Sequence, residues 1–249
     1  MDYILECKNV SKYFGSLPAV DNVSFRVRSG EIYGIAGPNG AGKTTLFNSI
    51  TNLPYSASSG KVILDGKEIQ KLPPYKICRM GIARTFQIPV VLKNLAVFEN
   101  VKVGAIFGLK GRHNVEKQTT EAMEFVGLNE KRDILADNLS LFDEKRVMLA
   151  SALVMHPKIL LLDELVAGLT KPEIEELIRL IRGINEKGIT LIVIEHIMSF
   201  LMGISERLMI LHHGKKLSEG LPDDVARDEK VIEAYLGERV KYEKLRRRK

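Results

Sequence analysis

The stretch "EIYGIAGPNGAGKTTLFNSI", residues 31–50, constrains this chain more than any other. A short apolar run leads into Gly-x-x-x-x-Gly-Lys-Thr, and a helical pattern follows at once. Such a strand, loop and helix make one βα unit of a mainly parallel sheet, with the loop shaped for phosphate. The backbone of Gly37, Pro38, Asn39, Gly40, Ala41 and Gly42 would wrap the phosphates, and the helix N-terminus adds its positive dipole end. Lys43 would bridge the β- and γ-phosphate oxygens, and Thr44 would offer its hydroxyl to Mg²⁺, with Thr45 beside it on the first helical turn.

A second feature fits the first from far downstream. "ILLLDE", residues 159–164, is a buried-type strand that ends in two carboxylates. A strand leaving the C-terminal edge of the sheet would bring Asp163 beside the phosphate loop, where it would hold Mg²⁺ through a water. Glu164 would then polarise the attacking water as a general base. The next apolar strand ends "VIEHIM", which sets His196 at an equivalent strand end, within reach of a γ-phosphate.

The remaining pattern surrounds this core with other pieces. "YILECKNV" and "VSFRV" read as strands paired around a turn-like "GSLPAVDN", and "GKVILDGKEI" reads as a hairpin turning at Asp65-Gly66. Residues 96–139 have helical periodicity, with Gly108 and Gly127 as stops. Beyond Leu139, amphipathic helices alternate with apolar strands. The expected fold class is α/β: a nucleotide-binding core of mostly parallel sheet flanked by helices, an N-terminal antiparallel β subdomain and an inserted α-helical subdomain. Of the 249 residues 45% are hydrophobic, enough for a large core, and 27% are charged, which argues against disorder. No apolar run approaches the roughly 18 residues of a membrane span. The start, "MDYILECKNV", does not read as a secretory signal. Cys7 and Cys78 form neither a metal spacing nor a disulfide framework, which fits a reducing compartment. The net charge of +6 owes much to the basic tail at 239–249, which reads as a solvated end or as a contact for anionic lipid or nucleic acid.

Taken in order, these motifs resemble the ATP-binding subunit of ABC transporters over nearly the whole chain. Residues 37–44 are similar to Walker A and "ILLLDE" to Walker B. "RTFQ", ending at Gln87, resembles the Q-loop, whose glutamine reaches Mg²⁺ and the attacking water. "AGLT", 167–170, is similar to the D-loop, and His196 takes the position of the switch histidine. Phe14 falls where the family stacks an aromatic on adenine, with Tyr13 as the neighbouring candidate. "LSLFDEKR", 139–146, falls on the signature loop, usually LSGGQ, so Ser140 would reach the partner subunit's ATP. The resemblance implies a core at 1–88 and 141–249 and a helical subdomain at 89–140. It implies ATP hydrolysis with Mg²⁺ by a head-to-tail pair of ATPase subunits, identical or related, that drives integral-membrane permease subunits. The place of work is then the cytoplasmic side of the inner membrane, in peripheral association. An extracytoplasmic binding protein takes part indirectly, and no nucleic acid is expected. "GIARTFQ" and the ending "HHGKKLSEGLPDDVARDEKVIEAYLGE" look most like subunits of branched-chain amino acid importers. ATPases for urea and related amides or for lipopolysaccharide export share much of the pattern.

Two departures matter. Leu141, Phe142 and Asp143 replace the two glycines and the glutamine of the signature, and Leu165 follows Walker B where proline is usual. Asp143 is expected to bring negative charge near the γ-phosphate unless Lys145 or Arg146 screens it. The signature therefore reads as weakened but present, with Ser140 and the helix-start amides as its remaining donors. Other readings are a nucleotide-binding regulatory subunit of low turnover and an ABC protein acting on nucleic acid or ribosomes. A phosphotransferring kinase shares only the phosphate loop.

Overall fold

The computed structural model describes residues 3–108 and 114–235, so the basic tail at 239–249 lies outside the described residues. In chain order come β1 (Tyr3–Phe14), β2 (Leu17–Arg28), β3 (Ile32–Ala36), α1 (Lys43–Thr51), β4 (Ser59–Leu64) and β5 (Lys67–Glu68). Next are α2 (Pro74–Met80), β6 (Ile82–Arg84), α3 (Val97–Gly108), α4 (Val115–Phe125), α5 (Leu141–Leu153) and β7 (Ile159–Asp163). Then follow α6 (Lys171–Glu186), β8 (Thr190–Glu195), α7 (Met198–Ile204), β9 (Arg207–His212), β10 (Lys215–Gly220) and α8 (Pro222–Arg227). No helix among the described residues is long and apolar enough to cross a membrane. The chain divides into two compact units, Met1–Pro73 with Ile192–Lys249, and Pro74–Leu191.

In the first unit, β2, β1, β4 and β5 form an antiparallel sheet in that order. Its buried face alternates along the strands, with Leu5, Cys7, Val23, Phe25, Val27, Val62 and Leu64 inside. The expected turn "GSLPAVDN" is mostly strand. The reversal takes only Gly15 and Ser16, and β2 begins at Leu17, opposite Phe14. Pro18 signalled a turn in the sequence, yet β2 is an edge strand, where a missing N–H breaks no ladder on the open side. Asp65 and Gly66, both with positive φ, turn β4 into β5 as expected. A second set of strands runs β10-β9-β3-β8, with β3 and β9 parallel and β10 antiparallel to β9. Every residue of β3 and β8 is buried, as the continuous apolar runs required.

In the second unit, β6 and β7 pair in parallel. α3 and α4 pack on each other and on α5, so the helical segment expected at 89–140 lies inside a larger body that also holds α5, β7 and α6. α5 buries residues around most of its circumference, Phe142, Val147, Met148 and Leu149 among them. α6 instead buries one stripe, Leu177, Ile181 and Ile184. Its start is fixed by a capping box, in which the backbone N–H of Thr170 donates to Glu173 at 2.7 Å, with Pro172 in the first turn. α2, β6, β10 and α8 were not evident in the sequence, being three to seven residues long and without a clear period.

Candidate functional site

The phosphate loop joins β3 to α1. The helix starts at Lys43, and Gly42 stands as its N-cap in the left-handed region, φ 100°. A side chain there would be doubly excluded, because a Cβ would sit 2.3 Å from the carbonyl oxygen of Ala19. Glycine at the cap also brings no side chain across the first turn, which leaves the helix end to an anion. Lys43 is buried, and its ammonium donates to the carbonyls of Gly37 (2.7 Å) and Pro38 (3.1 Å). The cation is thus curled back over its own loop. Asn39, Gly40 and Thr44 are exposed there, with Thr45 half-buried and Ala41 buried beneath. The loop fits a polyphosphate with a hard cation.

The carboxylate pair lies at the end of β7 in the second unit. Asp163 is buried and accepts from Arg84 Nη2 at 2.8 Å, in an ion pair where both side chains are nearly solvent-free. Its backbone N–H donates to Thr85 Oγ1 at 3.2 Å. Because β6 pairs with β7 through Arg84 and Leu161, the "RTFQ" run is delivered directly to these acids. Gln87 Nε2 donates to Glu164 Oε2 at 2.6 Å, so the Q-loop glutamine touches the expected base. Glu164 has φ 47°, unusual for a side-chain-bearing residue and worth about 1–2 kcal/mol of strain. Leu165, in place of proline, is buried. No group of three or more His, Cys, Asp or Glu gathers for a metal among the described residues. Mg²⁺ beside a nucleotide needs only one or two protein ligands, since water and phosphate supply the rest. Thr44 in the first unit carries an oxygen of the kind Mg²⁺ takes, and in the second unit Asp163 and Gln87 carry others.

The signature segment departs from expectation in an instructive way. Ser140 is the N-cap of α5, and Leu141 and Phe142 lie inside the helix, so neither position needs glycine. Asp143 is 2% exposed and is turned into the protein. Lys131 and Arg146 both pair with it, and Ser140 Oγ donates to its Oδ2 at 2.8 Å while accepting from its backbone N–H at 3.2 Å. Burial opposes the charge on Asp143, but the hydrogen bonds from Lys131, Arg146 and Ser140 outweigh it and hold the carboxyl below its ordinary range. Arg146 continues to Glu176 at 3.2 Å and lies over the Phe142 ring. Lys145 is wholly buried and binds backbone carbonyls of the loop after Glu164.

At the end of β1, Phe14 is 46% exposed and stands edge-on to Tyr55, ring centroids 5.0 Å apart. Lys12 Nζ lies 5.3 Å from the Phe14 ring and 4.7 Å from that of Tyr55. Tyr13 is also exposed, with its hydroxyl on Asp21 at 3.4 Å. His196 closes β8 with its ring partly exposed, Nδ1 3.8 Å from the buried Glu195. Arg84, Thr85, Lys131 and Tyr55 were not anticipated. Arg84 and Thr85 were legible only in their adjacency to Gln87; nothing in the sequence brings Lys131 or Tyr55 forward.

Nucleotide-driven cassettes carry these parts in this order, and over residues 20–167 the chain matches the ABC transporter family. It belongs to that family and is an ABC ATPase. Residues 215–241 also match the branched-chain amino acid ATP-binding cassette transporter family. The chain is similar to the high-affinity branched-chain amino acid transport ATP-binding protein LivG of Salmonella typhimurium, 37% identical over 251 residues, covering 94% of this chain and 98% of that one. BraF of Pseudomonas aeruginosa, of the same description, is 36% identical with the same coverage. Among solved structures it resembles a nucleotide-free ATP-binding cassette from an ABC transporter, with TM-score 0.86, 31% identity and coverage of 94% and 99%. A dimeric cassette in a post-hydrolysis state bound to ADP and phosphate matches with TM-score 0.78, 27% identity and coverage of 88% and 98%.

Proposed function

We propose that this chain is the ATP-hydrolysing subunit of an importer for branched-chain or related amino acids. The observation that carries it is the likeness to the LivG and BraF proteins over nearly the whole length of both chains. In this reading it sits at the cytoplasmic face of the membrane and pairs head to tail with a second ABC ATPase. Together they drive permease subunits that receive the amino acid from an extracytoplasmic binding protein.

On the nucleotide, the backbone of residues 37–42 and the ammonium of Lys43 grip the β- and γ-phosphates, and Phe14 stacks on adenine. Thr44, Gln87 and Asp163 are the residues that would hold Mg²⁺, and the ion would supply positive charge against that of the phosphates. Glu164 takes the proton of the attacking water, Gln87 holds the Glu164 carboxylate, and His196 reads the γ-phosphate. Ser140 faces the partner's ATP. Because its hydroxyl is committed to Asp143, the site it completes runs slower than one closed by an ordinary signature. The pair is therefore functionally unequal when the second ATPase carries the usual glycines.

The test is reconstitution with permeases and binding protein in vesicles. ATP-dependent uptake of leucine, isoleucine or valine is expected, with Lys43→Ala abolishing both nucleotide binding and uptake. Uptake of urea or amides but not of these amino acids would reassign the substrate. Unchanged nucleotide affinity in Lys43→Ala would remove the phosphate loop from the reading.

A further inference from the structure

The buried lysine of α5 has no part in the mechanism so far. Lys145 is 1% exposed, and its Nζ donates to the carbonyls of Leu165 and Ala167, both at 2.6 Å. Those carbonyls begin one residue after Glu164. A lysine ammonium is seldom taken out of water, and an apolar side chain of the same length would fill the space without the desolvation penalty. What an apolar chain could not do is hold two carbonyls of a loop that has no regular structure.

That loop needs holding. Glu164 lies in the left-handed region, φ 47°, and left to itself a side-chain-bearing residue leaves that region. Four residues on, Gly168 repeats the conformation at φ 78°, and a Cβ there would come within 2.8 Å of Leu141 Cδ2, on the same helix as Lys145. α5 thus touches the loop at both ends of residues 165–168. Gln87 holds the Glu164 carboxylate from one side at 2.6 Å; Lys145 fixes the backbone from which the side chain springs.

The structure assigns Lys145 as a positioning residue for hydrolysis: by clamping the carbonyls of Leu165 and Ala167 it keeps Glu164 in the strained conformation that aims its carboxylate. The assignment rests on Glu164 being the general base. It separates two properties, because the carbonyls Lys145 binds belong to the loop that follows the base, which serves the attack of water and not the ground-state grip on nucleotide.

The experiment uses the full chain, purified with its transport partners. Lys145→Met keeps the stem and removes the donors. Its kcat for ATP hydrolysis is expected to fall fivefold or more, while the dissociation constant for ATP, measured by equilibrium binding, stays within threefold. Peptides covering residues 164–170 should exchange backbone hydrogen for deuterium faster than in the parent protein. If Lys145→Met does not fold, Lys145→Gln, which keeps a donor for one carbonyl, is judged by the same criteria. A kcat loss under fivefold overturns the assignment. So does a matching loss of ATP affinity, which would make Lys145 a general structural residue. Glu164→Gln is measured in parallel. If that variant hydrolyses ATP at the parent rate, the reading of Glu164 as the base has failed. If it is inactive while Lys145→Met is not, the base stands and only the clamp has failed.

Discussion

At the scale of single residues, the carboxylates divide by what surrounds them. Glu164 accepts a hydrogen bond from the amide of Gln87, whereas Asp163 is bound into an ion pair with Arg84. Glu164→Gln is expected to lower hydrolysis by about 10²–10⁴-fold while ATP still binds, since the amide fills the same space and cannot take the water's proton. Single-turnover hydrolysis beside equilibrium binding checks this, and a parent-like rate would exclude Glu164 as the base. Asp143 is anionic for a different reason, with Lys131, Arg146 and Ser140 around a buried carboxyl. Its folded-state pKa is depressed, so its contribution to stability is fully present above the unfolded value near 4 and is lost as pH falls through the lower folded value. Asp143→Asn should therefore be less stable than the parent by about 3 kcal/mol at neutral pH, because two cations are left facing each other. Denaturant melts should show the gap beginning to narrow below about pH 4 and closing only once the pH passes the lower folded value. A difference that persists at acid pH would mean packing rather than charge.

At the scale of elements, α5 explains why the altered signature is more than a string of replacements. Where the family pattern has glycine, Phe142 is in the core beneath Arg146, and Asp143 is the hub of an ion cluster rather than a glutamine at the surface. Returning glycine at Phe142 is therefore expected to destabilise the protein by about 3–5 kcal/mol, the loss for a large buried ring. Thermal unfolding would read it as a lowered Tm, and a Tm within a degree of the parent would show that the ring does not pack. Leu141→Gly is the gentler change, since that side chain is partly exposed. A second element-scale cluster joins β3, β9 and β10, where Arg207 pairs with the buried Glu31 at 3.1 Å and with Glu219, which also accepts from the Tyr33 hydroxyl at 2.8 Å. Arg207→Met leaves Glu31 without its cation, and the expected loss is about 3–5 kcal/mol in equilibrium unfolding. An unchanged midpoint would show Glu31 to be satisfied by backbone donors such as the N–H of Arg28 alone.

At the scale of the whole molecule, the proposed head-to-tail pair should become visible when hydrolysis is blocked. Glu164→Gln with ATP is expected to sediment as a dimer and to return to monomer when Lys43→Ala is added, because ATP itself is the bridge in this reading. A nucleotide-independent dimer would point to another interface. What the sequence determined unaided is whatever depends on neighbours along the chain. The phosphate loop needs its glycines and lysine at set spacings. Buried strands such as "ILLLDE" need an unbroken apolar run, and α6 declares itself through its period. "GSLPAVDN" was misread because its Pro18 is tolerated on an edge, and being an edge is a property of the sheet. Only the tertiary structure could turn Asp143 inward to Lys131, draw Arg84 to Asp163 and sink Lys145 beneath the Glu164 loop. Which way a charged side chain faces is settled by desolvation set against pairing, and its partners there come from 12, 79 and 20 residues away along the chain, where no local pattern can reach.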